Sequence, residues 1–160
     1  MQISFNVNGQ QQLSRNLRVA VTQLPKMKEF FQEACDIVSE KSDSMFKAQG
    51  TNVEKNPKWK ALAPSTVKAR QMGWGYYKNK PSNPGILRWT GKMQESKRIT
   101  VTDQAGKLEF EAPYAIHHQE GGNKLPRRAV IDLDNTTNTK IVKAMQKKIQ
   151  DDLGIFGLQV

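Results

Sequence analysis

One histidine pair, one cysteine and one run of aromatics with lysines are the residues of this sequence whose types could do chemistry. His117-His118-Gln119-Glu120 puts two imidazoles on adjacent positions. Adjacent side chains on a helix point to different sides, and the i, i+4 pair that would aim two histidines at one metal ion is missing. The spacing predicts that one histidine packs and hydrogen-bonds while the other faces solvent. Cys35 stands alone, which excludes an internal disulfide framework and a cysteine-based zinc site. It lies beside an apolar helical stripe and reads as a small buried hydrophobe rather than a nucleophile. Gly73-Trp74-Gly75 lacks both the Gly-x-Gly-x-x-Gly and the Gly-Lys-Ser/Thr of a phosphate loop. Carboxylates are scattered over solvent faces of helices, and no Ser/His/Asp arrangement emerges. No catalytic residue, cofactor or metal is therefore expected. A nuclease built on His117 or His118 would need a carboxylate cluster that the sequence does not offer. Tyr76-Tyr77-Lys78-Asn79-Lys80 suits base stacking with phosphate contacts. It suits a protein partner equally, because Tyr, Trp and Arg dominate interface cores.

Charge sharpens that choice. The 160 residues carry 25 Lys and Arg against 15 Asp and Glu, a net charge of +10. Residues 51–100 hold 11 of the basic and only 2 of the acidic side chains, whereas the flanking thirds are close to balanced. A local excess of this kind is either a solvated basic loop or a surface that draws a polyanion or an acidic protein. Two classes follow: an assembly protein and a basic nucleic-acid-binding module. No zinc finger, RNP or GXXG signature supports the second.

The elements that must position these residues read as one domain over 1–160, interrupted by a long basic Trp-containing loop at about 50–90. Ile3, Phe5 and Val7 alternate with polar residues as in a half-buried strand, and Asn8-Gly9 turns the chain. A helix is expected over 10–23. A longer one is expected over 26–47, where Met27, Phe30, Phe31, Ala34, Val38, Met45 and Phe46 recur at helical spacing and Gly50 stops it. Pro64 opens a short helix to Met72. Trp59, Trp74 and Trp89 stand in polar surroundings and read as exposed anchors. Ile99 and Val101 alternate, as do Leu108 and Phe110, with Asp103-Gln-Ala-Gly106 between them: a β-hairpin. Tyr114 to Gly122 is a short helix with a glycine stop. Ala129-Val-Ile-Asp-Leu133 reads as a strand. Asp134 or Asn135 caps a last helix with Ile141, Val142, Met145, Ile149 and Leu153 on its apolar face, and a partly apolar tail follows at 154–160. Strands and helices do not alternate regularly. The expected fold is therefore α+β, a small and mostly antiparallel sheet packed by two or three helices. No apolar run is long enough to span a membrane, and the first residues show no basic n-region or apolar h-region of a leader.

Four segments, in order, resemble the phage virion morphogenesis family, which includes the tail completion proteins of Mu-like phages. They are Trp59-Lys-Ala-Leu62-Ala-Pro64-Ser-Thr66-Val-Lys-Ala-Arg70, Ile86-Leu87-Arg-Trp-Thr90-Gly91-Lys-Met93-Gln-Glu-Ser96, Tyr114-Ala115-Ile-His-His118-Gln119-Glu-Gly121-Gly122 and Leu125-Pro126-Arg127-Arg128 running into 129–133. The sequence departs from the family where Ala129-Val130 follow Arg128 in place of Pro and an aromatic, and where Glu120 precedes Gly-Gly in place of an aromatic. The resemblance implies a structural virion protein at the head–tail junction, without catalysis, assembled in the host cytoplasm and residing in the neck or at the top of the tail. Such proteins form rings, commonly of six, that terminate the tail or join it to the head. The implied partners are further copies of the chain, a head connector or adaptor, a tail terminator or tube and sheath proteins, and DNA in the neck channel, with no membrane. Interface candidates are then Trp59, Trp74, Tyr76, Tyr77, Lys78, Lys80, Trp89, Arg127 and Arg128, the arginines offering bidentate forks for ion pairs. Thr90, Gly91, Tyr114, His118, Gln119, Gly121, Gly122 and Pro126 are expected to shape the motif. The glycines allow positive φ or close approach, and His118-Gln119 would tie the short helix to the loop.

Overall fold

A computed structural model describes residues 26–78, 85–122 and 125–153. The strand expected at 2–7, the helix at 10–23, Lys80 and the tail at 154–160 lie outside the described residues. Within them the chain runs α1 (Lys28–Lys47), α2 (Pro64–Met72), a 3-10 turn (Gly75–Tyr77), α3 (Lys92–Glu95), β1 (Lys97–Val101), β2 (Gly106–Phe110), α4 (Ala115–Glu120) and α5 (Asn135–Leu153). This is an α+β fold with a two-stranded antiparallel sheet. No described helix is long and apolar enough to cross a membrane.

The long helix α1 organises the rest, because its apolar positions wind round more than one side. Its first turns meet α5, where Met27, Phe30 and Ala144 are buried and Phe31, Ala34, Ile37 and Ile141 pack round them. Its last turns enter the main core of Met45, Phe46, Val53, Trp59, Met93, Ala115 and Val130. Phe46 is 1% exposed and meets the Trp59 ring edge-on, with centroids 5.4 Å apart. Such pairs add stabilisation beyond the area they bury. Gly50 makes that contact possible. It has φ +70°, and a Cβ there would lie 2.0 Å from Trp59 Cγ. The turn after α1 must therefore lack a side chain to let the indole in.

The hairpin follows the alternation in the sequence. Ile99 pairs with Leu108 and Val101 with Gly106, and residues 102–105 form the loop. Thr102 Oγ1 accepts from the Gln104 and Ala105 amides at 3.3 and 3.0 Å, which fixes that loop locally. The sheet lies against α1. At the start of α5, Asp134 caps as expected: Oδ1 accepts from the Thr137 amide at 2.6 Å. Oδ2 lies 2.5 Å from the Lys41 ammonium on α1. Burial pushes the Asp134 carboxyl up, but the bonds from Lys41 and Thr137 outweigh it and hold the pKa at about 2.

Three expectations need correction. Residues 129–133 form no strand. Their alternation reports burial, but side chains rather than a neighbouring strand satisfy the backbone. Ser42 Oγ donates to Val130 O at 2.8 Å, and Trp59 Nε1 donates to Ala129 O at 2.8 Å. The inward stripe of α5 is Thr137, Ile141, Ala144 and Lys148, while Val142 and Met145 are 53% and 43% exposed. Of the expected apolar face, Ile141 and Ile149 are half-buried as read, while Val142 and Met145 turn outward and the small Thr137 and Ala144 take the buried positions. Finally, Trp59 and Trp89 are not exposed anchors but interior residues, 6% and 8% exposed; only Trp74, at 54%, is at the surface.

Candidate functional site

The four sequence blocks converge on one place in the fold. The 126–132 segment runs between α4 and the Trp59 loop, and each neighbour holds it by side chains. On the α4 side, Gln119 Oε1 accepts from the Val130 and Ile131 amides at 2.8 and 3.1 Å, and Nε2 donates to Ile131 O at 3.0 Å. One carboxamide thus supplies both the acceptor and the donor that a paired strand would offer. This is the tie between short helix and loop that the sequence predicts for Gln119. His118 joins it through its carbonyl, which accepts from Arg128 N at 2.7 Å. Gly121, at φ +77°, closes α4, and a Cβ there would press on the Arg127 backbone at 2.9 Å. Gly91 likewise has positive φ, but Gly122 does not and has open space around it. Gly122 therefore needs no glycine for conformation. It exchanges backbone bonds with Leu125 at 2.8 and 3.2 Å, next to the half-buried Pro126.

On the other side, Arg128 is an internal clamp and not the interface ion pair expected of it. It is 6% exposed, its Nε donates to Lys60 O at 2.9 Å, and its Nη2 donates to Ala61 O at 3.2 Å. Arg127 stays at the surface and donates from Nε to Gln119 O at 2.9 Å. Asp132, which sequence reasoning passed over, is 1% exposed and accepts from the Glu54 and Lys55 amides and from Asn56 Nδ2 at 2.9, 3.3 and 2.6 Å. Nothing local marks it, because every donor lies more than 70 positions away.

A cavity of about 310 Å³ opens where these elements meet the loop from α2 to Trp89. Arg70, Tyr77, Trp89, Tyr114, His118 and Arg128 are in its wall, with Leu62, Leu87, Met93 and Thr90 between them. The Arg70 guanidinium lies over Trp89 at 5.0 Å and over Tyr77 at 5.6 Å, and its Nη1 donates to Gly85 O at 2.9 Å. Tyr77 meets Trp89 edge-on at 4.9 Å. Leu87 adopts φ +58°, a strained backbone for a branched side chain, and Gln49, itself at φ +53°, holds that segment by accepting from the Ile86 amide. Burial lowers the pKa of Arg128, and the charge of Arg70 lowers it further. Burial, then Arg128, then His117 lower that of His118, so its ring is neutral at pH 7. Burial and then Tyr76 raise that of Tyr114. His117, in contrast, is exposed, so the pair divides in burial as its adjacency predicts, but His118 Nδ1 has no hydrogen-bond partner among the described residues where one is expected.

Outside the cavity, Met72, Trp74 and Tyr76 are 55%, 54% and 71% exposed, and Lys78 is exposed beside them. The Lys68 ammonium lies 5.7 Å from the Trp74 ring centroid. Gly73 caps α2 in the left-handed conformation and starts this protrusion. Of the expected interface residues, then, Trp74, Tyr76, Lys78 and Arg127 present themselves to solvent. Tyr77 is half-buried under them, and Trp59, Trp89 and Arg128 are structural. Cys35 is 7% exposed, and burial raises its thiol pKa, followed by the charge of Asp36, as befits an inert core residue. Among the described residues no group of three or more His, Cys, Asp or Glu could hold a metal ion. Compared with protein families, curated proteins and solved structures, the chain matches none.

Proposed function

We propose that the chain is a structural subunit of a tailed-phage virion, of the tail completion or neck class, that closes into a ring at the head–tail junction. The observation that carries this reading is that the Trp59 segment and the 114–122 segment both hydrogen-bond to the 126–132 strap, while the remaining resembling segment, 86–96, places Met93 in the same buried cluster as Val130. Trp59, Gln119 and Arg128 grip the strap, and Gly121 bends the chain round it. Segments joined by specific hydrogen bonds and a shared buried cluster form one structural signature rather than separate coincidences of composition. The Met72–Lys78 protrusion supplies the contact surface. Large aromatics held out by a rigid cap are what interface cores use, and a head-to-tail contact between identical subunits closes into a ring. The reading makes the chain a non-enzymatic virion component, with further copies and head or tail proteins as partners.

Electron microscopy of particles produced without the protein tests it. Filled heads beside separate tails are the expected result, and overlong tails would favour the terminator role. Normal joined virions would overturn the assignment. A second reading, a basic nucleic-acid-binding module, is favoured by Lys68 over the exposed Trp74, a cation beside an open stacking face. It expects binding to single strands that weakens steeply with salt, and no binding at low salt would remove it.

A further inference from the structure

The cavity between Arg70, Trp89, His118 and Arg128 has the makings of an anion receptor. Among the described residues its wall contains two guanidinium groups and no carboxylate. Arg128 is buried, yet its side-chain acceptors are the carbonyls of Lys60 and Ala61, which leave its positive charge uncompensated. Burying a cation without a counter-charge is costly, and the nearby guanidinium of Arg70 adds repulsion. In the same wall Trp89 Nε1 and His118 Nδ1 are buried without a partner among the described residues. Buried indole and imidazole nitrogens nearly always find one. Trp89 is itself 92% buried and cannot turn to solvent, since Tyr77 and Arg70 cover its ring.

The geometry points to a binding site for a carboxylate carried on a compact apolar or aromatic body, received between Arg128, His118 and Trp89. One negative charge offsets the uncompensated guanidinium. The donors left over are few, because the Nε and Nη2 of Arg128 are already engaged. They match two carboxylate oxygens better than a phosphate dianion, which asks for more. Leu62, Leu87, Met93 and Tyr77 line the rest and would hold the apolar body. At about 310 Å³ the space suits a molecule or side chain of amino-acid size, at the low end of the roughly 300–1,000 Å³ of small-ligand sites. The carboxylate can come free or at the end of a protein chain. The cavity belongs to the folded monomer and stands whether or not the chain forms rings.

Calorimetric titration of the full chain with 3-phenylpropionate, 3-phenylpropionamide and inorganic phosphate tests the site. The acid is expected to bind and the amide to bind at least about tenfold more weakly, the usual weight of hydrogen bonds to a charged group. Trp89→Phe keeps an aromatic ring but removes the Nε1 donor with part of the indole, so it should weaken the acid by about tenfold and the amide by less. Leu62→Trp fills the cavity from a half-exposed position and should abolish binding. Both variants keep the test alive if Arg128→Gln fails to fold. Acetyl-Gly-Phe with a free carboxyl terminus binding tighter than 3-phenylpropionate would assign the site to a chain end, and weaker binding to a free small acid. Equal affinity for acid and amide, tighter binding of phosphate, no heat with any acid, or full binding by Leu62→Trp would each overturn the proposal.

Discussion

Trp59 and Trp74 sit 15 positions apart in the same basic, proline-rich stretch, and their fates are opposite. Trp59 fills the hollow left by Gly50, meets Phe46 edge-on and donates to Ala129 O. Trp74 stands in solvent with a lysine beside one face. The difference lies in what the neighbouring backbone needs. The 129–132 strap has carbonyls and amides with no strand to pair with, so an indole N–H there satisfies a buried acceptor. The backbone around Trp74 closes on itself: its amide donates to Ala69 O, and its carbonyl accepts from Tyr77 N. The side chain is left over, and what is left over is available to a partner.

Mutations break or sharpen this contrast. Trp59→Ala should cost about 3–5 kcal/mol in urea unfolding, since it opens a large cavity and orphans the Ala129 carbonyl. A loss below about 1 kcal/mol would mean that the strap does not need it. Gln119→Leu leaves the Val130 and Ile131 amides without an acceptor and should cost about 1–3 kcal/mol. Gln119→Glu keeps that acceptor and should recover part of the loss, an ordering that a burial-only role for residue 119 would not produce. Asp134 gives a pH signature. Its carboxyl titrates at about 2 in the fold against 3.8 for the ordinary group, so the unfolded chain takes up the proton first as pH falls. The stabilisation is complete above pH 4, declines between pH 4 and 2, and amounts to about 2 kcal/mol. Subtracting the pH profile of Asp134→Asn from that of the parent isolates it. Smallest in stability is Trp74→Ala, expected within about 0.5 kcal/mol of the parent. The same change should abolish self-association in analytical ultracentrifugation, where unchanged association would take Trp74 out of the interface.

What the sequence revealed of the fold was local. Helix α1, Pro64 at the start of α2, the hairpin and the Asp134 cap each rest on signals within a few residues of where they act, although Gly106, read as part of the turn, lies in β2 and pairs with Val101. The strand expected at 129–133 failed because alternation records which side chains are buried and says nothing about which groups meet the backbone. An amide eleven positions upstream did so. The face of α5 was misjudged for a related reason: apolar bulk marked Val142 and Met145, whereas close packing selected Thr137 and Ala144. In the candidate site, the tie by Gln119 and the glycine stop at Gly121 were legible. Arg128 and Trp89 were not, because an arginine is normally a surface residue and its burial depends on carbonyls 67 and 68 positions away. Asp132 left no trace at all.

The strap has a bearing on how the chain reaches its fold. The bonds from Trp59 to Ala129, from Asn56 to Asp132 and from Ser42 to Val130 span 70, 76 and 88 positions. None can form on a nascent chain until residues 129–132 have left the ribosome, after α1, α2 and the hairpin. Contacts of such separation are slow to close, since the entropy of joining distant segments is lost before any bond repays it. Until the strap emerges, the Phe46–Trp59 core lacks Val130, and the Trp59 N–H lacks its acceptor. Interrupting that segment would yield a chain with native helices and an unclosed, chaperone-dependent interior.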